Sequence, residues 1–172
     1  MIERDVSVIT KYGVMPSFAA CPDAPGAFPP VILYMDAPGT REELRNMARR
    51  IAKAGYFCLL PDLYYRLGHL RLDIPRRMPA MSVLISGAMA SLSNAGVTDD
   101  TGGMLAFLDA QDRVKPGPVG CVGHCMSGSF VATVAARFPS HIAAAAARYG
   151  IGMVTDKPDS PHLLLDRVRG EL

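Results

Sequence analysis

The hydrophobic pattern of this chain alternates between short apolar runs of strand length and longer stretches with helical spacing. The runs at residues 31–35, 56–60 and 119–122 have no polar face, which is typical of parallel strands covered on both sides. Residues 40–54 place apolar side chains three or four positions apart, as an amphipathic helix does. Two strand–helix units in succession predict an α/β sheet with right-handed crossovers.

The ends of the chain extend this prediction. Residues 2–10 alternate apolar and polar positions, and with the extended stretch 14–21 they predict an antiparallel hairpin whose second strand, which contains Pro16, lies at a sheet edge. Residues 143–147 favour a helix by local propensity, but the order of elements requires a strand there. Further helices are predicted at residues 78–92, 98–111, 130–138 and 160–169.

Two threonines are predicted to cap helices. Thr40 is followed three residues later by Glu43, which is the spacing of a capping box. Thr98 precedes Asp99 and Asp100, and acidic residues are favoured in the first turn of a helix by the helix dipole.

Composition limits the class of protein. The chain has 172 residues, of which 49% are hydrophobic and 20% charged, so residues 1–172 are predicted to form a single domain. Lys and Arg outnumber Asp and Glu by 18 to 16 without a basic run, which argues against a nucleic-acid partner. We find no signal peptide and no apolar stretch of membrane-spanning length, and we expect a cytoplasmic protein that does not bind a membrane.

The most informative stretch is residues 119–129, a predicted strand followed by a tight turn and a helix. Such a turn strains its apical residue and requires small neighbours two positions away, which here are Gly123 and Ser127 around Cys125. The helix N-terminus favours a thiolate, and the Met126 N–H is the natural donor to an oxyanion beside it. This pattern predicts a nucleophile elbow.

An alternative reading is that Cys125 is only a small buried side chain in a glycine-rich joint between a strand and a helix. The spacing of the four cysteines does not fit a zinc site, and we expect them to remain thiols in a reducing compartment. They are Cys21, Cys58, Cys121 and Cys125.

Short motifs along the chain resemble the dienelactone hydrolase family, the carboxymethylenebutenolidases of the α/β-hydrolase fold. The resemblance covers the chain from Val31 onward, and its most specific parts are the cysteine elbow and the Pro-Asp-Leu-Tyr run. The motifs are Met35-Asp36-Ala37-Pro38-Gly39, Gly55-Tyr56, Pro61-Asp62-Leu63-Tyr64, Gly123-His124-Cys125-Met126-Ser127-Gly128 and Tyr149-Gly150. The resemblance implies hydrolysis of a small lactone or ester by a Cys-His-Asp triad, with no metal or organic cofactor.

The resemblance also assigns roles to single residues. Cys125 matches the nucleophile, and Met126 and Ala37 match the two residues whose N–H groups form the oxyanion hole. Asp36 stands where the family typically has a glutamate that contacts the resting cysteine, and its side chain is one methylene shorter. Ser127 replaces a glycine of the usual elbow and adds a hydroxyl near the thiol.

In this fold the triad acid and histidine follow the nucleophile, on loops after later strands that would begin at about Glu171. We therefore expect a doubly wound, mostly parallel α/β-hydrolase sheet that is C-terminally incomplete. His124 lies beside Cys125 in the chain but should point to a different side of the turn. Of the other histidines, His141 is expected at the surface, and the remaining two could reach Cys125 only by an arrangement that the family does not use. The remaining two are His69 and His162.

A long loop at residues 63–79 follows the carboxyl end of a predicted strand, where open α/β sheets bind their ligands. Its cationic side chains either bind a substrate anion or only keep the loop soluble. They are Arg66, His69, Arg71, Arg76 and Arg77.

Two other functional classes remain open. A degenerate family member would bind a small acid or use Cys125 as a redox-sensitive thiol. A nucleotide-binding domain is disfavoured because the sequence has neither G-x-G-x-x-G after a strand nor G-x-x-x-x-G-K-[ST]. The oligomeric state does not follow from the sequence.

Overall fold

The computed structural model describes residues 1–76 and 78–172, and its strands form one mixed sheet in the order β1-β2-β4-β3-β5-β6. The strands are β1 (Ile2–Thr10), β2 (Gly13–Cys21), β3 (Pro30–Tyr34), β4 (Phe57–Pro61), β5 (Val119–His124) and β6 (Ile142–Arg148). The α-helices are α1 (Glu42–Lys53), α2 (Pro79–Ala90), α3 (Asn94–Asp109) and α4 (Ser127–Arg137). Short 3-10 helices lie at Tyr65–Leu67, Ile74–Arg76 and Pro161–Arg167.

An antiparallel hairpin flanks a parallel set of strands. β1 pairs antiparallel with β2 and β2 antiparallel with β4, whereas β4, β3, β5 and β6 run parallel. The β3-to-β4 crossover runs in one direction across the sheet, and the next two crossovers run in the other. Right-handed connections therefore put α1 on one face and α3 and α4 on the opposite face. The predicted doubly wound, mostly parallel sheet with an N-terminal hairpin is confirmed.

The prediction that Pro16 makes β2 an edge strand is wrong. β2 lies between β1 and β4, and its ladder with β4 covers residues 17–20. Pro16 lies just before that ladder, and its carbonyl accepts a hydrogen bond of 2.9 Å from the Asp62 N–H. In an antiparallel strand the N–H and C=O of one residue point to the same neighbour, so the missing N–H of Pro16 falls where the ladder ends.

Strand β6 forms as predicted, although its alanines have high helix propensity. It pairs with β5 along its length, and α4 packs against both strands. On its other side, Glu171 donates its N–H to Ala143 O at 2.9 Å and accepts from the Ala145 N–H at 2.8 Å. The outer main-chain groups of β6 thus begin to pair at the position where the sequence predicts a further strand.

Both predicted caps are corrected. Helix α1 begins at Glu42 with Arg41 as its N-cap and no capping side chain, and Glu43 instead contacts the Arg41 guanidinium at 3.3 Å. Helix α3 begins earlier than predicted, because the Ser93 hydroxyl accepts from the Gly96 N–H and caps Asn94 onward. Thr98 lies inside that helix and donates its hydroxyl to a main-chain carbonyl one turn before. Helix α4 begins at Ser127, also earlier than predicted.

Helix α2 is apolar but mostly exposed. Val83 and Leu84 are 73% and 56% exposed, and Ala88 is buried. Among the residues that the structure describes, no single helix has both the length and the hydropathy to cross a membrane. Helices α2 and α3 satisfy these two criteria only when taken together, with a bend of 73° between them.

A buried carboxylate fixes the loop that follows β4. Asp100 of α3 is fully buried and accepts hydrogen bonds from the Tyr65 hydroxyl at 2.8 Å and from the Arg66 guanidinium at 2.6 Å. Burial raises the pKa of Asp100, while both partners favour its charged form. The Tyr65 hydroxyl also bonds to Thr10 at 2.7 Å, so this network joins the loop to both α3 and the hairpin.

Replacing Asp100 with alanine is expected to lower the free energy of unfolding by about 2 kcal/mol, because two hydrogen bonds to a buried charged group are lost. Urea unfolding at constant pH measures this change. Asp99→Ala is the matched control: its neighbouring carboxylate is exposed and bonded to Lys11 and Tyr12, and its loss is expected to have a much smaller effect. Equal losses in both variants would contradict the structural role of the Asp100 network.

Candidate active site

The turn between β5 and α4 has the backbone predicted for a nucleophile elbow. Cys125 has a φ angle of +55°, in the left-handed region that side chains other than glycine rarely adopt. A Cβ at Gly123 would overlap the main chain of Ser127 and lie 2.8 Å from Val131 Cγ1, so only glycine fits there. The predicted strained backbone of Cys125 and the need for a small residue at position 123 are confirmed.

Main-chain hydrogen bonds join this turn to the loop after β6. The Cys125 N–H donates to Arg148 O at 3.1 Å, and Cys125 O accepts from the Ile151 N–H at 3.0 Å. A Cβ at Gly128 would overlap the Cα of Gly150, so the first turn of α4 also touches this loop. The position of Cys125 therefore depends on the loop as well as on its own strand and helix.

Cys125 is the most accessible of the four cysteines. All four cysteines are free, and Cys125 alone is partly exposed while the other three are buried. Burial raises the pKa of Cys121 to about 12 and that of Cys58 further still, which keeps both in the unreactive thiol form. The reading of Cys125 as a merely buried side chain is disfavoured by its partial exposure.

Two main-chain N–H groups near the elbow have no hydrogen-bond acceptor among the described residues. They belong to Ala37, which follows β3, and to Met126, which follows Cys125. β3 and β5 are parallel neighbours, so their carboxyl ends lie side by side. Ala37 and Met126 are both buried, at 9% and 4% exposure. Unpaired N–H groups in buried residues are rare unless a ligand or water accepts from them.

Asp36 is engaged by an arginine. Its two carboxylate oxygens accept from the Arg41 guanidinium at 2.5 Å and 2.9 Å, and Arg41 also donates to Gly39 O at 3.0 Å. No hydrogen bond joins Asp36 to Cys125 in the described part of the chain. The contact with the resting cysteine that the resemblance implies for Asp36 stays a prediction.

The arginines of the loop after β4 have different environments. Arg66 pairs with Asp100, and its guanidinium lies 4.1 Å from the centre of the Tyr12 ring. Arg76 is exposed and lies 3.6 Å from Asp73. Arg71 lines a cavity of about 700 Å³ between the hairpin and the start of α1, whose lining does not include Cys125. Arg77 lies outside the described residues.

Among the described residues, no histidine is hydrogen-bonded to Cys125. His141 and His162 bond to neighbouring serines, at 3.1 Å and 2.8 Å. His124 has a buried Nδ1 without a hydrogen-bond partner in the described structure. Burial and the nearby charge of Arg148 lower the pKa of His124, and Asp36 opposes this shift.

The sequence does not predict the roles that the structure gives to two hydroxyls at this edge of the sheet. The Tyr64 hydroxyl is buried, donates to Ala37 O at 2.8 Å and lies 3.6 Å from Met126 Sδ. The Ser127 hydroxyl donates to Met35 O and is not free beside the thiol. The Pro-Asp-Leu-Tyr run was the available signal, since it places an aromatic hydroxyl just after the carboxyl end of a strand.

No group of three or more His, Cys, Asp or Glu side chains within residues 1–76 and 78–172 could hold a metal ion.

Solved structures that superpose on this chain include proteins named as hydrolases. The crystal structure from Klebsiella pneumoniae subsp. pneumoniae MGH 78578 titled "Putative Dienelactone Hydrolase" superposes with a TM-score of 0.83 at 25% identity, over 98% of this chain and 69% of that one. The dienelactone hydrolase-like promiscuous phosphotriesterase P91 from metagenomic libraries superposes with a TM-score of 0.72 at 19% identity, over 92% and 63%. The chain has the α/β-hydrolase fold.

Sequence relatives give the family. Two proteins named "Putative carboxymethylenebutenolidase" are each 28% identical, one from Methylorubrum extorquens over 87% of this chain and 50% of that protein, the other from Synechocystis sp. over 90% and 63%. The sequence model of the dienelactone hydrolase family matches residues 15–170. The chain belongs to the dienelactone hydrolase family, as its motifs predict, and it spans about half to two thirds of the length of these two relatives.

The lowered pKa of His124 predicts a pH-dependent stability. Because the unfolded chain binds this proton more readily, the contribution of His124 to stability is present above the ordinary imidazole pKa and is lost as the pH falls through the folded-state value. Urea unfolding from about pH 8 to about pH 5 should therefore show a smaller loss of stability in His124→Gln than in the wild type. Identical profiles in the two proteins would show that folding does not make His124 harder to protonate.

Proposed function

We propose that the protein containing this chain hydrolyses small lactones or esters, with Cys125 as the nucleophile. The observation that supports this most is the left-handed Cys125 at the elbow, together with two main-chain N–H groups that have no acceptor among the described residues, those of Met126 and Ala37, at the adjacent carboxyl ends of β5 and β3. A thiol presented beside a pair of buried donors is an arrangement suited to acyl transfer.

In the proposed reaction, the Cys125 thiolate attacks the carbonyl carbon and forms a C–S bond, which moves negative charge onto the carbonyl oxygen. The N–H groups of Met126 and Ala37 stabilise this oxyanion, and such a donor is typically worth ~3 kcal/mol in the transition state. The C–O bond then breaks and the leaving oxygen takes up a proton. Water then gives up a proton as it attacks the thioester, and the C–S bond breaks to release the carboxylic acid and restore the thiolate.

The proton transfers require a general acid and base, for which the described residues offer no histidine bonded to Cys125. We propose that a histidine in a part of the protein outside this chain serves, because the chain covers only 50% and 63% of the length of these two relatives. The lack of such a histidine contact in residues 1–76 and 78–172 also supports a second candidate function. In that case, Cys125 is a redox-sensitive thiol or lies in a pocket that binds a small acid.

An activated ester separates these functions, since p-nitrophenolate leaves without a general acid. We expect p-nitrophenyl acetate to release one equivalent of p-nitrophenolate per chain and to leave one acetyl group on Cys125, as read by intact mass. Cys125→Ala should lower this rate by about a thousand-fold or more, as expected when a nucleophile is removed.

Cys121→Ala is the matched control, because it removes a thiol from the same strand four residues earlier, and it should retain the burst of p-nitrophenolate. Acetylation of Cys125→Ala at the wild-type rate would refute the assignment of the nucleophile. Alkylation of Cys125 by iodoacetamide without acetylation by the ester would instead support the redox-thiol function.

A further inference from the structure

The loop between β3 and α1 has its main-chain carbonyls held by hydrogen bonds. Met35 O accepts from the Ser127 hydroxyl, and Asp36 O accepts from the Gly39 N–H at 2.9 Å. Ala37 O accepts from the Tyr64 hydroxyl at 2.8 Å, and Gly39 O accepts from Arg41 at 3.0 Å. Two side chains from other parts of the chain, those of Ser127 and Tyr64, and one at the end of the loop itself, that of Arg41, thus hold one short loop.

These bonds fix the direction of the Ala37 N–H. A peptide group is planar, so the hydrogen bond at Asp36 O also orients the N–H of Ala37 in the same plane. The peptide groups before and after it are held through Met35 O and Ala37 O, by Ser127 and Tyr64. The carbonyls of these three peptide groups are thus occupied, and the Ala37 N–H has no acceptor among the described residues.

Both hydroxyls also connect the loop to the elbow. Ser127 directly follows Met126 in the chain and is fully buried. Its hydrogen bond to Met35 O therefore links the elbow, which carries the Met126 N–H, to the loop that carries the Ala37 N–H. Tyr64 reaches the same two parts, because its hydroxyl donates to Ala37 O and contacts Met126 Sδ at 3.6 Å. A glycine at position 127 could not make the first of these links.

We propose that Ser127 and Tyr64 are positioning residues that set the separation between the N–H groups of Ala37 and Met126. This inference rests on the proposed function, in which these two groups bind the oxyanion. A main-chain donor stabilises an oxyanion only when it lies about 2.7–3.1 Å from the position that the oxygen reaches. A shift of the loop by a fraction of this distance would weaken the stabilisation of the transition state without moving the thiol.

Two reactions of Cys125 separate positioning from a general structural role. Acetylation by p-nitrophenyl acetate passes through an oxyanion, whereas alkylation by iodoacetamide is a direct displacement at carbon and forms none. For Ser127→Ala we expect the rate constant of acetylation to fall about ten-fold, less than the loss of a complete donor, with an unchanged half-saturating ester concentration. The rate of alkylation should stay within about two-fold of the wild type.

Tyr64→Phe is the second variant, since it removes the other hydroxyl and keeps the buried ring, and we expect a similar selective loss. Because both hydroxyls hold one loop, the losses in the double variant should not simply multiply. Thr133→Val is the matched control. Its buried hydroxyl donates to Ser129 O within α4, away from the loop, and both reactions should proceed at wild-type rates.

Each outcome decides a separate claim. Wild-type acetylation in both Ser127→Ala and Tyr64→Phe would overturn the positioning role, as would an equal loss of acetylation and alkylation. If Ser127→Ala does not fold, as judged by circular dichroism, Tyr64→Phe alone decides. Absence of acetylation at Cys125 in the wild type would refute the proposed function itself, and this inference with it.

Discussion

The main chains at Gly123 and Ser127 lie too close for a side chain at position 123, and this contact sets the geometry of the site. Where β5 turns into α4, the Cα of Gly123 lies so near the main chain of Ser127 that a Cβ would overlap it. This tight return leaves Cys125 with a left-handed backbone, and such a residue directs its side chain out of the turn. The first N–H groups of α4 open towards the same place, so thiol and donors arise from one backbone feature.

Around this turn, hydrogen-bonded side chains replace regular structure. A buried hydroxyl is favourable only when it has a partner, and those of Tyr64 and Ser127 both end on main-chain carbonyls of the loop after β3. The Asp36–Arg41 pair also holds this loop, and Asp100 holds the loop after β4. The edge that carries Cys125 is therefore held by hydrogen bonds although it consists of loops.

The sequence was sufficient for those parts of the structure that depend on local pattern. Hydrophobic runs predict the parallel strands, and the small residues around Cys125 predict the elbow. The caps at Thr40 and Thr98 were predicted wrongly, because capping depends on the path of the preceding chain, which decides whether a hydroxyl can reach a free N–H. The anchoring role of Tyr64 depends on two loops meeting across neighbouring strands, and no spacing in the sequence records that meeting.

The contact between Gly128 and Gly150 has a consequence for mutational data on this family member. The two main chains touch there without any side chain between them, so even alanine at position 128 would push the first turn of α4 away from the loop after β6. Neither residue has a side chain that could take part in chemistry. A mutational scan scored by activity would nevertheless rank Gly128 with the most sensitive positions, and that ranking would report the packing of two backbones, not a role in the reaction.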